Sequence, residues 1–196
     1  MTAVAIFDFD HTLITGDSFL PFLSAVVGKF ELARALVEAA AALAMAHARG
    51  ERNEARTYLK NFLLHRLLTG RRVADLRTAA LKVRDWQTLN PPIIQALREH
   101  HADGVRIVIA SGGLNLYLHE SLRDIPHDAL ICTDIGVHNG IVTGEMINGN
   151  CVRARKAERV AEWLAANGPF DESWGYGNYP HDVPMMNLVK YRIIVS

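Results

Sequence analysis

Five apolar residues, Ala3-Val4-Ala5-Ile6-Phe7, run directly into Asp8-Phe9-Asp10. A short, unbroken apolar run rich in Val, Ile and Phe reads as a strand buried on both faces, which requires layers above and below it. Side chains alternate along a strand, so Asp8 and Asp10 leave it on the same face. They sit at its carboxyl end, where open α/β sheets bind ligands. Two carboxylates there repel each other unless a cation or a shared proton relieves them. The pair is either a polar strand end with two solvated acids or a divalent-metal site with a carboxylate nucleophile, and the rest of the sequence has to decide.

After Ile14-Thr15-Gly16-Asp17-Ser18, a turn with helix-capping residues, the pattern is helical from Phe19 to Trp86. Helices are expected over Phe19–Val27, Glu31–Arg49, Asn53–Leu68 and Val73–Trp86, punctuated by Gly28, Gly50 and Thr69-Gly70. Asn90-Pro91-Pro92 opens the next helix, Ile93–His101. Val105–Ala110 is the second strong strand. It ends in Ser111-Gly112-Gly113 and turns into a helix over Leu114–Leu122, an arrangement suited to holding an anion on backbone N–H groups. Ala129–Thr133 is a further strand, and Asn139-Gly140 between β-formers marks a hairpin. A helix over Arg155–Ala166 turns Val160, Trp163 and Leu164 inward. A strand at Ser173–Gly177, a short helix at Val183–Leu188 and a strand at Tyr191–Val195 complete the chain.

Strands alternating with helices imply a parallel sheet with right-handed crossovers. The expected architecture is an α/β core from residues 1–15 and 89–196, with residues 16–88 as an inserted helical cap over the sheet's carboxyl edge.

The 196 residues carry a formal net charge of +0, so no global field draws nucleic acid or an anionic membrane, and phosphate binding has to be local. Leu32–Ala48 is the most membrane-like stretch, but it holds Arg34, Glu38 and His47 and is short for a span, so no stable membrane insertion is expected. Two cysteines, Cys132 and Cys151, and the lack of a basic leader suggest a reducing, cytoplasmic setting without a disulfide.

Four features now stand in order at strand ends or helix starts: Asp8-Phe9-Asp10-His11-Thr12, Ser111-Gly112-Gly113, Lys156, and Gly177-Asn178-Tyr179-Pro180-His181-Asp182. Together they resemble the haloacid dehalogenase (HAD) superfamily, specifically the phosphoserine phosphatase-like members of subfamily IB. Gly16-Asp17-Ser18-Phe19, Thr143-Gly144-Glu145 and Asp182-Val183-Pro184-Met185 are similar to that subfamily too. The resemblance implies a Rossmann-like core, a C1-type helical cap and a small β-hairpin flap. It implies a Mg²⁺-dependent phosphomonoester hydrolase acting through an aspartyl-phosphate on a small phosphorylated metabolite such as phosphoserine.

Residue by residue, it makes Asp8 the nucleophile and Asp10 the general acid and base, with Lys156 offsetting charge. Thr12, Ser111, Gly112 and Lys156 become phosphate-binding residues. Asp8, Asp10 through its carbonyl, Asn178 and Asp182 become the Mg²⁺ group, Asp182 by orienting a metal-bound water. Mg²⁺ suits such an oxygen-only set. The residue types leave alternatives: Ser111 as a helix cap, Asp182 as an N-cap, and Arg155 or Arg153 in place of Lys156. Asn178 departs from the usual Asp of the last motif, and Tyr179 from the usual serine. On the cap, Asp17 stands near where serine phosphatases place a glutamate for the amino group, and Arg52, Arg56 and Lys60 are placed to meet a carboxylate. Ala- and Leu-rich cap helices suit a lipid phosphate of the phosphatidylglycerophosphate type equally well. A relative that binds a phosphorylated ligand without turnover is the non-enzymatic reading.

Overall fold

The computed structural model describes residues 2–50 and 54–195. Strand β1 (Ala3–Phe7) is central in a five-stranded, all-parallel sheet. Its neighbours are β2 (Arg106–Leu114) and β6 (Glu172–Asn178), with β3 (Ala129–Thr133) and β7 (Tyr191–Val195) at the edges, giving the order β3-β2-β1-β6-β7. Alternation along β1 divides the core. Ala5 and Phe7 face one layer with Ile107 and Ile109, whereas Val4 and Ile6 face the other with Val108 and Ala110. The first layer is closed by α5 (Pro91–Ala102) and α6 (Asn115–Ser121) through Ile94, Leu97, Tyr117 and Leu118. The second is closed by α7 (Arg153–Asn167) and α8 (Val183–Met186) through Val160, Met185 and Met186. Helices on both faces explain why β1 reads as a continuous apolar run. The fold is the expected Rossmann-like α/β arrangement.

Four helices lie between the first strand and α5: α1 (Phe19–Val27), α2 (Lys29–Ala48), α3 (Ala55–Leu68) and α4 (Val73–Trp86). Phe22, Leu23, Leu64, Leu68, Leu76 and Ala80 join the same apolar cluster as Phe7 and Ile109, so the block is packed onto the sheet layer. Its departing and returning strands lie side by side. Thr15 N–H donates to Thr88 O at 2.9 Å, Asn90 N–H donates to Leu13 O at 2.8 Å, and Ile14 bridges Leu89.

The hairpin forms from β4 (Ile135–His138) and β5 (Ile141–Met146), longer than the Asn-Gly signal alone marks. Asn139 (φ 51°) and Gly140 (φ 76°) are both left-handed, as a two-residue type I′ turn demands. The hairpin bonds to the α3–α4 loop: Gly70 N–H to Val142 O, Val142 N–H to Arg71 O, and Val73 N–H to Gly140 O, each at 2.9 Å.

One element differs in kind from expectation. β2 continues through Ser111-Gly112-Gly113 to Leu114, so the helix after it begins only at Asn115. The register with β3 shifts between Ala110 and Leu114 and then resumes at Thr133. The glycines belong to this irregular strand end and not to a helix N-terminus. A Cβ on Gly112 would stand 2.8 Å from Val152 Cγ1. Both cysteines are buried and free, and burial pushes the Cys132 thiol up to about 12. No helix among the described residues is long and apolar enough to cross a membrane.

Candidate active site

Asp8 follows β1 directly and is buried, 4% exposed. Its backbone N–H stays in the sheet, bonded to Tyr176 O at 2.9 Å. One carboxylate oxygen, Oδ1, accepts from Lys156 Nζ at 2.6 Å. The other, Oδ2, accepts from Thr12 Oγ1 at 3.1 Å. Thr12 reaches back because the chain folds into a tight loop over Phe9–Leu13, with His11 left-handed (φ 58°) and Ile14 N–H bonded to Phe9 O at 3.1 Å. The same loop turns Asp10 toward the start of α1, where its Oδ1 accepts from Ser18 N–H at 2.8 Å. Asp8, Asp10 and Lys156 line one cavity of about 540 Å³, which residues of α1, α2 and α3 also line.

Lys156 lies in the first turn of α7, where an ammonium is unfavourable toward the helix dipole. Its reason for being there is anionic. Nζ donates to Asp8 at 2.6 Å and to Asp182 Oδ1 at 2.7 Å, and the residue is only 4% exposed. Burial opposes its charge, but the two carboxylates prevail and raise its pKa. Neither rival cation bonds Asp8. Arg155 bonds Asn148 O and Glu158, and Arg153, which lines the cavity, pairs with Glu54 just ahead of α3.

The two front carboxyls sit in different surroundings. Burial pushes Asp8 up, against the pull of Lys156. Among the described residues no cation pairs with Asp10; burial raises it to about 7, partly offset by hydrogen bonding from Ser18, while Asp17 and Asp8 add repulsion. Divergent environments for two neighbouring carboxyls are a mark of an acid–nucleophile division.

The end of β6 supplies the rest. Gly177 has no side chain because Asp182 occupies the space: a Cβ there would lie 2.6 Å from Asp182 Cβ. Asp182 divides its oxygens between Lys156 and the Asn178 N–H, the latter at 3.0 Å. It precedes α8 but makes no side-chain capping bond. The Asn178 side-chain amide is 3.4 Å from Asp8 Oδ2 and 3.3 Å from the Asp10 carbonyl oxygen.

The Asn178 amide therefore stands close to both of the other groups. Octahedral Mg²⁺ at about 2.0–2.1 Å places neighbouring ligands about 2.9 Å apart. Separations of 3.3 and 3.4 Å are close to that, provided the Asn178 amide turns its oxygen inward, an exchange that leaves its shape unchanged. The donor set therefore fits Mg²⁺. Among the described residues there is no group of three or more His, Cys, Asp or Glu side chains suited to a metal, because this set uses one carboxylate, one carbonyl and one amide.

The remaining predicted residues divide. Ser111 is fully buried, and its Oγ accepts from Gly113 N–H at 2.9 Å within β2; it caps no helix. Gly112 lines the cavity and turns its carbonyl to Lys60. Lys60 Nζ also donates to Asn150 Oδ1 at 2.9 Å and Thr133 Oγ1 at 3.2 Å, so its three donors are all engaged with the core. Asp17 lines the cavity at its edge and accepts from Leu20 N–H at 3.2 Å. Arg56 lines it too and meets His181 Nε2 at 3.2 Å. Arg52 lies outside the described residues. Sequence reasoning missed Asn150 and Thr133 as anchors of α3. The signal for Asn150 was read only as a turn, Asn148-Gly149-Asn150, and nothing local marks Thr133.

The sequence model of the haloacid dehalogenase-like hydrolases matches residues 5–187, from within β1 to the end of α8. The chain belongs to the haloacid dehalogenase-like hydrolase family. Among curated proteins, the phosphoserine phosphatase of Lactococcus lactis subsp. lactis (strain IL1403) is 27% identical over 94 residues. That alignment covers 47% of this chain and 44% of the relative, so the match spans less than half of that protein. Among solved structures, a Bordetella pertussis Tohama I protein of unknown function superposes with a TM-score of 0.80 at 25% identity, over 99% of this chain and 90% of that one. A phosphoserine phosphatase described as a phospho-aspartyl intermediate analogue gives 0.61 at 15% identity, covering 98% and 86%, and shows the shared HAD fold.

Proposed function

We propose that this HAD-family chain hydrolyses phosphate monoesters through an aspartyl-phosphate on Asp8, with residues 16–88 acting as a cap over the reaction. The single observation that carries the reading is the 2.6 Å pair of Asp8 and Lys156 at the floor of a cavity that also holds Asp10 raised to about 7. A carboxylate kept beside a buried ammonium is held ready for an electrophile that itself brings negative charge.

An Asp8 oxygen attacks phosphorus and the ester P–O bond breaks. Asp10 passes its proton to the departing oxygen, releasing the alcohol. In the second half-reaction Asp10 takes a proton from water, the water oxygen attacks phosphorus, and the P–O bond to Asp8 breaks, releasing inorganic phosphate. Lys156 faces the phosphoryl charge throughout, and Asp182 fixes the position of Lys156. Thr12, Ser111 and Gly112 are the groups proposed to hold the phosphoryl oxygens. Asp8, the Asp10 carbonyl and Asn178 would hold Mg²⁺, with Asp182 behind them. When bound, Mg²⁺ supplies positive charge that offsets the repulsion between Asp8 and the phosphate dianion.

Phosphoserine is the first substrate to try, because the curated relative carries that name and Asp17 and Arg56 line the cavity. A lipid phosphate is the second reading. It is favoured by the cap side of the cavity, where Phe19, Leu20, Leu36, Leu59 and Leu63 present apolar surface. The test is phosphate release from p-nitrophenyl phosphate, with and without Mg²⁺, followed by a panel of phosphorylated metabolites and lipids. Phosphate binding with no release under any condition would favour the non-catalytic reading.

A further inference from the structure

Helix α2 keeps its charges to one flank, where Glu31, Arg34 and Glu38 lie together and the 63%-exposed Arg34 side chain pairs with Glu38 at 2.9 Å. Leu32, Ala35, Ala39 and Ala46 form its buried stripe. At about 100° per residue, the opposite side carries Phe30, Val37, Ala41, Ala44 and Ala48, all exposed. Phe30 is 85% exposed, Val37 71%, and Met45, which widens the face, 55%. A surface helix ordinarily turns charged residues outward, and a helix that is apolar all round is ordinarily buried. α2 is apolar on both sides and buried on one, and it does not qualify as a membrane span.

Two observations say what meets this face. It is continuous with the cavity: Leu36 of α2 is 37% exposed and also lines the cavity, as does Leu20 of α1 at 39%. The charges of α2 itself also lean one way, with Asp17 at the cavity edge the nearby exception. Both carboxylates of α2, Glu31 and Glu38, are held by Arg66 on the neighbouring α3, at 2.8 and 2.9 Å, while Lys29 and Arg49 flank the helix ends. An apolar stripe with flanking cations and no free acid is the pattern of a helix lying in a lipid interface. A second copy of the chain seated there would cover Leu36 at the cavity mouth.

We propose that the outer face of α2 rests on an anionic lipid surface, and that the Leu20–Leu36 edge of the cavity receives a lipid phosphate monoester from it. The second clause rests on the reading of the site as a phosphomonoesterase; the first does not.

The test uses the full chain and vesicles of phosphatidylglycerol and phosphatidylcholine, alone or doped with phosphatidate. The wild type is expected to sediment with anionic vesicles. The double variant Phe30→Ser/Val37→Ser should bind about tenfold or more weakly, since two large apolar side chains leave the interface. Its turnover of p-nitrophenyl phosphate should equal the wild type's, because neither residue lines the cavity, while its hydrolysis of vesicle-borne phosphatidate should fall with its binding. A wild type that stays in the supernatant, or a double variant that sediments equally well, overturns the docking face. So does a wild-type dimer that the variant splits in the absence of lipid. Vesicle binding with p-nitrophenyl phosphate turnover but untouched phosphatidate overturns the substrate clause alone. Vesicle binding with no turnover of any phosphate leaves the docking face standing and overturns the phosphomonoesterase reading.

Discussion

Asp182 Oδ1 accepts a 2.7 Å hydrogen bond from Lys156 Nζ, and this buried ion pair joins the loop after β6 to the first turn of α7. The same ammonium reaches Asp8, so three chain segments meet on one cation. Truncating one partner leaves buried charge without its full complement, which costs about 3–5 kcal/mol. Asp182→Ala is expected to lower the urea midpoint accordingly and to slow turnover, with Asp182→Asn intermediate in both. An unchanged midpoint for the Ala variant would mean that the pair does not hold the site together.

Asp8→Asn is expected to abolish phosphate release while the fold persists. The amide oxygen still accepts from Lys156 and the amide NH2 can donate to Thr12 Oγ1, but a carboxamide forms no acyl-phosphate. Steady-state assays and circular dichroism on the same preparation check both halves. Turnover at the wild-type rate, once deamidation is excluded by mass spectrometry, would refute the nucleophile.

Asp10 carries the pH dependence. Its pKa lies above the ordinary carboxyl value of 3.8, at about 7, so the native state holds its proton the more tightly. The stability this contributes is complete below about pH 4 and is lost as pH climbs through 7. Asp10→Asn, uncharged throughout, should flatten the urea midpoint between those limits. Its turnover of alkyl phosphates should fall by about 10²–10⁴-fold, and that of p-nitrophenyl phosphate by less, because a good leaving group needs little protonation. Equal losses for both substrates would remove Asp10 from the acid role.

Asn178 tests the metal. With Asp8 ionised, the site offers one carboxylate and an amide where the subfamily's usual pattern offers two carboxylates, and ligand charge is a main lever on affinity for a hard cation. Asn178→Asp is expected to tighten Mg²⁺ and Asn178→Ala to weaken it, read by calorimetric titration as well as by the Mg²⁺ dependence of turnover. If neither variant moved the binding curve, Asn178 would not be a ligand.

Lys60→Met removes the ammonium's bonds to Gly112 O, Thr133 and Asn150, although Gly112 O keeps Thr133 Oγ1 at 2.9 Å and Thr133 Oγ1 keeps Cys151 N–H at 3.1 Å. Each hydrogen bond lost from a charged donor costs about 1.5–3 kcal/mol. The thermal midpoint should drop, and α3 should become open to limited proteolysis. A variant as resistant as the wild type would show that the cap is held by its apolar contacts alone.

Most of the sheet was legible because β1 and β2 are apolar runs ending in chemistry-bearing residues, and because Asn139-Gly140 dictates its own turn. Periodicity marked the helices for the same reason, with ends misplaced by a residue or two. What the sequence hid was set by distant neighbours. Ser111-Gly112-Gly113 looks like a strand-to-helix turn, but the β3 register carries the strand onward past it. Lys156, Arg155 and Arg153 are indistinguishable in sequence, and only packing turns Lys156 inward toward Asp8. Lys60 looked free to meet a carboxylate until tertiary structure placed three core oxygens around it. Asp182 looked like an N-cap until both of its oxygens proved to be engaged elsewhere.

On the proposed reading of residues 16–88 as a cap, the ladder between the α3–α4 loop and the hairpin makes its opening a backbone event. Gly70, Val73 and Val142 donate across that seam, so lifting the helices away from β5 exposes three amides together. Hydrogen exchange at these positions then works as a clock for the cap. Three amides that exchange at one shared rate, slowed together by a bound phosphate analogue, would time the step by which a substrate gains the floor of the cavity.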